Sequence, residues 1–115
     1  MSRRRSAAAT FVEAAPVFAA LGEATRLTLV AKLCTHGPLS IARLSEGTGV
    51  TRQAITKHLH TLADAGLVRH SRRGRERIWE LEAARLEKAR RYLDQISDEW
   101  DAAVGRLAAF VEQEH

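Results

Sequence analysis

The sequence predicts a mainly α domain with one small β-hairpin, in a single chain of 115 residues. Three observations lead there. Apolar residues recur at the 3.6-residue period in segment after segment, bounded by glycine, proline or small hydroxyl residues. One stretch around Gly74 switches to alternation with a period of two. The last third has no proline between residues 82 and 112 and repeats its apolar residues every seven.

The elements follow in order. Residues 1–10 read as a basic, flexible N-terminal arm, and residues 11–115 as one domain. The run F-V-E-A-A-P-V-F-A-A-L predicts a short helix with Phe11, Val12, Ala15, Phe18 and Leu21 on one face, interrupted or kinked at Pro16. After Gly22 a second helix places Leu27, Val30, Ala31 and Cys34 at i, i+3, i+4 and i+7, and Gly37-Pro38 ends it. That stripe predicts a buried Cys34. Ser40 is an N-cap for I-A-R-L-S-E-G, a helix of about two turns. In T-G-V-T, Gly49 supplies a sharp turn and Thr51 caps the next helix, which ends at Gly66. L-V-R-H-S, R-R-G-R and E-R-I-W-E-L then form strand, turn and strand. The closing helix runs from about 82 to 112. Leu86, Leu93, Trp100 and Leu107 form one heptad row, and Ala89, Ile96, Ala103 and Phe110 form a second. This is the pattern of a helix packing along another helix.

A short helix, a glycine turn, a capped polar helix and a basic hairpin together make a winged helix-turn-helix with a small β-hairpin wing. A helix about 10–12 Å across fits the major groove of B-DNA, where base edges carry distinct donor and acceptor patterns. The outer face of the capped helix carries Thr51, Arg52, Gln53, Thr56, Lys57 and His60. Gln53 suits adenine and Arg52 suits guanine, while Thr56 and Lys57 suit bases or phosphates. Arg72, Arg73, Arg75 and Arg77 on the wing suit the backbone or an adjacent minor groove.

Charge agrees with that partner. Residues 1–51 carry +3, residues 52–77 carry +5 and residues 78–115 carry −4. A basic middle segment points to double-stranded DNA. No aromatic platform in that segment suits single strands or RNA. A single cysteine excludes an internal disulfide and fits a reducing cytoplasm. No apolar run is long enough to span a membrane, so no membrane partner is expected. The arginines and alanines at the start resemble an export signal, but Glu13 and Pro16 interrupt the apolar run. No nucleophile elbow or other catalytic arrangement is present, so the chain is not read as an enzyme, and no cofactor is expected.

Several stretches carry a family resemblance: G-E-A-T-R-L-T-L-V-A-K-L, then L-S-I-A-R-L-S-E-G-T-G-V-T-R-Q-A-I-T-K-H-L-H-T-L-A-D-A-G-L-V, then R-I-W-E-L. They resemble the ArsR/SmtB family of bacterial winged-helix regulators over about residues 15–110. K-H-L-x-x-L-x-x-A-G-L-V is the most specific part. The resemblance implies a homodimeric repressor on a palindromic operator, with the first and last helices as the dimer interface. Phe11, Phe18, Leu86, Leu93, Ile96, Trp100, Leu107 and Phe110 are the residues it assigns there. Many members sense a metal through Cys-x-Cys on the first DNA-binding helix, or through Asp-x-His with His-x-x-His or His-x-x-Glu on the last. Neither set is present, so the likeness is to the subgroup without metal ligands. His58 and His60, two residues apart on a helix, point about 200° apart and cannot share an ion. The effector is unknown. Two alternatives stay open: a winged-helix protein-interaction module, and a repressor answering a redox or metal signal that the sequence does not show.

Overall fold

The computed structural model describes the backbone of residues 7–113 and the side chains of residues 12–113. Its helices are α1 (Ala7–Leu21), α2 (Ala24–His36), α3 (Ile41–Ser45), α4 (Arg52–Asp64) and α5 (Ala83–Gln113). Its strands are β1 (Leu39–Ser40), β2 (Val68–Arg73) and β3 (Glu76–Leu81). The mainly helical architecture with a β-hairpin wing is therefore the one expected. α1 begins at Ala7, within the stretch read as an arm, because three consecutive alanines favour helix. The rest of the predicted arm lies outside the described residues, as does the side chain of Phe11.

The connections are set by local chemistry. The Ser40 side chain accepts from the Arg43 N–H and caps α3, and the Thr51 side chain accepts from the Ala54 N–H and caps α4. Lys32 of α2 donates to the carbonyls of Leu44 and Glu46. It thereby satisfies acceptors that the end of α3 leaves unpaired. Between α3 and α4, the Thr48 hydroxyl donates to the Ser45 carbonyl and accepts from the Val50 N–H. α4 ends in a Schellman motif: Leu67 N–H donates to Leu62 O and Gly66 N–H to Ala63 O. Gly66 has φ +78°, and a Cβ there would also lie 3.0 Å from Arg85 Nε. The positive φ is what favours glycine there, since the exposed Arg85 side chain can shift aside.

The sheet is antiparallel with strand order β1-β3-β2. β1 was not foreseen. Two residues cannot show a periodicity, and Leu39 and Ser40 are strand only because they pair with Trp79 and Ile78 of β3. The wing turns through Gly74 and Arg75, between the paired residues Arg73 and Glu76. Positive φ at the first turn residue, Gly74, suits the twist of the hairpin.

One core joins the elements. Ile55, Leu59 and Leu62 on the inner face of α4 are fully buried with Leu29, Leu44, Leu67 and Trp79. Two predicted stripes need correction. In α2 the core face is Leu29, Val30 and Leu33, while Leu27 and Ala31 are exposed. Cys34 is exposed with them rather than buried. This helix is apolar on two flanks, so periodicity alone cannot say which flank faces inward. In α1 the core takes the small residues Ala14, Val17 and Ala20, and leaves Val12 exposed. The two α2 faces are separable by experiment. Leu33→Ala is expected to cost about 2–5 kcal/mol and Leu27→Ala less than about 0.5 kcal/mol, measured by denaturant unfolding.

Candidate nucleic-acid interface

The burial of one side of α4 dictates what the other side shows. Counting about 100° per residue, Gln53, Lys57 and His60 lie opposite the Ile55–Leu59–Leu62 seam. Gln53 and Lys57 are exposed, as are Thr51 and Arg52 at the start of the helix. Thr56 is half-buried and its hydroxyl donates to the Arg52 carbonyl. That donation leaves its oxygen free to accept. Thr51 has its side-chain oxygen committed to the cap. His60 has a different setting from its neighbours: its ring meets Trp79 edge-on, with centroids 5.6 Å apart. His70 of β2 covers another part of the same indole at 4.8 Å. The indole N–H of Trp79 is buried and has no hydrogen-bond partner among the described residues.

Strand register divides the wing arginines. Arg72 and Arg77 face each other across the hairpin, on the side of the sheet that carries Val68, His70 and Trp79. Arg73 lies on the other side, opposite Glu76, and Arg75 is in the turn. All four are exposed. At the base of the wing Arg69 donates to Glu80 at 3.0 Å and reaches Glu82 at 3.3 Å. The hydrogen bond to Glu80, reinforced by the charge of Glu82, raises the arginine further above its ordinary value. Arg52, Lys57, Arg72, Arg73, Arg75 and Arg77 make no ion pair within the described residues. The acidic residues therefore neutralise the base of the wing and leave its tip cationic.

Between α3, the start of α4 and β3 lies an open cleft of about 620 Å³. Arg43, Arg52 and Arg77 line it with Ser40 and Glu76. Arg43 was missed from sequence. Its only local signal is its position three residues after the capping Ser40, and the cleft exists only once β3 folds back beside α3. Its ion pair with Glu46 is 3.8 Å long between two exposed side chains, and such a pair contributes little.

On the inner side, α4 meets the start of α2. Glu23 caps α2 by accepting from the Arg26 N–H at 2.8 Å. Arg26 Nε donates to the Ala20 carbonyl at 2.6 Å, and its Nη1 lies 3.3 Å from His58 Nδ1. The Glu23 carboxylate is 4.0 Å from the same nitrogen. His58 and His60 thus have separate neighbours. Among the described residues no three His, Cys, Asp or Glu side chains are grouped to hold a metal ion.

A capped helix with a polar outer face, set beside an arginine wing, defines a winged helix-turn-helix DNA-binding protein. Comparisons with known proteins narrow this class. Residues 21–71 match a family model described as a helix-turn-helix domain. The HTH-type transcriptional regulator Rv2034 of Mycobacterium tuberculosis is 33% identical over 95 residues, covering 83% of this chain and 85% of that protein. The solved ArsR-like transcriptional regulator from Rhodococcus sp. RHA1 is 36% identical with a TM-score of 0.73, covering 89% of this chain and 95% of that one. A homodimeric winged helix-turn-helix DNA-binding domain from Mycobacterium bovis shares the fold at 24% identity and a TM-score of 0.63, covering 86% and 91% of the two chains. The chain belongs to the ArsR family of winged helix-turn-helix transcriptional regulators.

Glu23 gives this junction a pH signature. The Arg26 N–H, aided by the charges of His58 and Arg26, holds its carboxyl below the ordinary glutamate value against an opposing effect of burial. A depressed carboxylate stabilises the fold above its unfolded pKa, and that contribution is lost as pH falls through the folded pKa. Thermal unfolding between pH 7 and pH 3 should therefore show a shallower acid-side decline for Glu23→Gln than for the unmodified chain.

Proposed function

We propose that the chain is a homodimeric repressor that binds a palindromic operator through α4 and the wing, without a metal co-effector. The observation that carries the DNA-binding part is the set of exposed cations that make no ion pair among the described residues, Arg52, Lys57, Arg72, Arg73, Arg75 and Arg77, around the exposed Gln53. A phosphate backbone supplies the counter-charge that the fold withholds from them, with release of condensed cations. Gln53 and Arg52 then read bases, the wing holds the backbone, and Arg43 of α3 with the capping Ser40 adds a further phosphate contact. Like other DNA-binding regulators, it works in the cytoplasm and catalyses no reaction.

The second half of α5 supports the dimer. Leu93, Ile96, Trp100, Val104, Leu107 and Val111 follow the three-four spacing of a helix seam and are all exposed, with Trp100 at 69% and Leu107 at 63%. Phe110 flanks them. A continuous apolar seam of this kind on one chain is matched by the same seam on a second. Phe18 and Leu86 are turned partly toward the core of their own chain, so they serve the edge of such an interface. A two-fold dimer would set the two recognition helices about 34 Å apart, one turn of DNA.

Selection of duplexes from random DNA, followed by binding across a salt series, tests the reading. Gln53→Ala should cost about 1–3 kcal/mol of discrimination at one base pair. Arg77→Ala should weaken all duplexes alike and reduce the salt slope by about 1. Absence of duplex binding at low salt would favour a protein-interaction module instead. For the dimer, Leu107→Glu should weaken self-association on the order of 100-fold by sedimentation while leaving the helical content of the domain intact.

A further inference from the structure

We propose that Arg26 and His58 are positioning residues for DNA binding: together they fix the angle at which the recognition helix leaves the α1–α2 junction. The inference rests on the reading of α4 as the DNA-contacting helix. Arg26 is a meeting point of three helices. Its Nε donates to Ala20 O at the end of α1, its backbone N–H donates to the Glu23 cap of α2, and its Nη1 meets His58 of α4. Ala20 is buried, and His58 is only 24% exposed at its side chain. His58 projects about 140° around the helix from Gln53, so it acts through α4 rather than by touching DNA. α1 also packs against α5. A change at this contact would therefore alter how the reading face is presented relative to the α5 seam.

The chemistry makes the contact conditional. A guanidinium only donates and stays charged, so the contact requires His58 Nδ1 to be an acceptor, with the ring proton on Nε2. Protonation turns Nδ1 into a donor and sets two cations 3.3 Å apart. The groups at His58 Nδ1 are Arg26 of α2 and the capping Glu23, while Asp64 of α4 lines a neighbouring groove with Arg26. α1 contributes Pro16, Ala19 and Ala20 to that groove. Glu23 is the carboxylate toward which a charged ring turns, and that movement releases Arg26 from α4.

Glutamine supplies an acceptor that does not titrate, which gives the test. Dissociation constants of the unmodified protein and of His58→Gln for one selected duplex are measured from pH 8 to pH 5.5 by fluorescence anisotropy. Thermal unfolding at each pH confirms that both proteins are folded. The readout is the ratio of the two constants, in which pH effects common to both proteins cancel. The two proteins should bind within about threefold of each other at pH 8, and the unmodified protein should weaken relative to His58→Gln by about tenfold at pH 5.5. A ratio that stays constant with pH overturns the inference while leaving the DNA-binding reading in place. Failure of both proteins to bind any duplex at every pH overturns that reading, and this inference with it.

Discussion

Burial of Ile55, Leu59 and Leu62 against Trp79, Leu44 and Leu29 is the interaction on which the surface chemistry depends. A helix that hides one side must show the other, and the residues left showing include Gln53, Lys57 and Arg52. The same burial fixes the helix ends. The Thr51 cap starts α4 beside the wing, and the Schellman turn at Gly66 sends the chain straight into β2. Trp79 serves both layers, filling the core while His60 and His70 cover it from the helix and the sheet. Its indole N–H, without a partner among the described residues, carries a desolvation penalty of about 1–3 kcal/mol, which the apolar burial of the rest of the ring offsets.

Electrostatics divides the molecule as clearly as packing does. The base of the wing is an ion-paired zone, where Arg69 is held by Glu80 and Glu82. The tip and the outer face of α4 carry cations that make no ion pair among the described residues. Exposed ion pairs contribute little to stability, so their placement matters more for what remains unneutralised. A long-range field from the unpaired cations favours approach of a polyanion before any base is read. Residues 78–115 carry −4 against the +5 of residues 52–77, so the cationic excess belongs to the recognition helix and the wing.

Much of this was legible in the sequence because much of it is local. A cap, an αL glycine, a glycine-centred hairpin turn and a heptad row each involve residues within a few positions of one another. Their chemistry is written in adjacent letters. The positions of Arg52, Gln53, Lys57 and the wing arginines followed from the same signals. The buried faces of α1 and α2 did not. Both helices are apolar on more than one flank, and the choice of flank depends on which neighbour arrives. For that reason Cys34, in line with the apolar stripe of α2, lies outside the core.

The sequence alone determined the order of the helices and the hairpin, the caps at Ser40 and Thr51, the glycine stop at Gly66, the charge division and the heptad rows of the last helix, since each is a property of neighbouring residues or of one helix period. Only the tertiary structure decided which stripe is buried, that Leu39 and Ser40 become a strand, that Arg43 joins Arg52 and Arg77 around one cleft, and that Arg26 meets His58 across 32 positions of chain. Those outcomes depend on contacts between elements distant in sequence, where close packing and charge, rather than local conformational preference, select one arrangement.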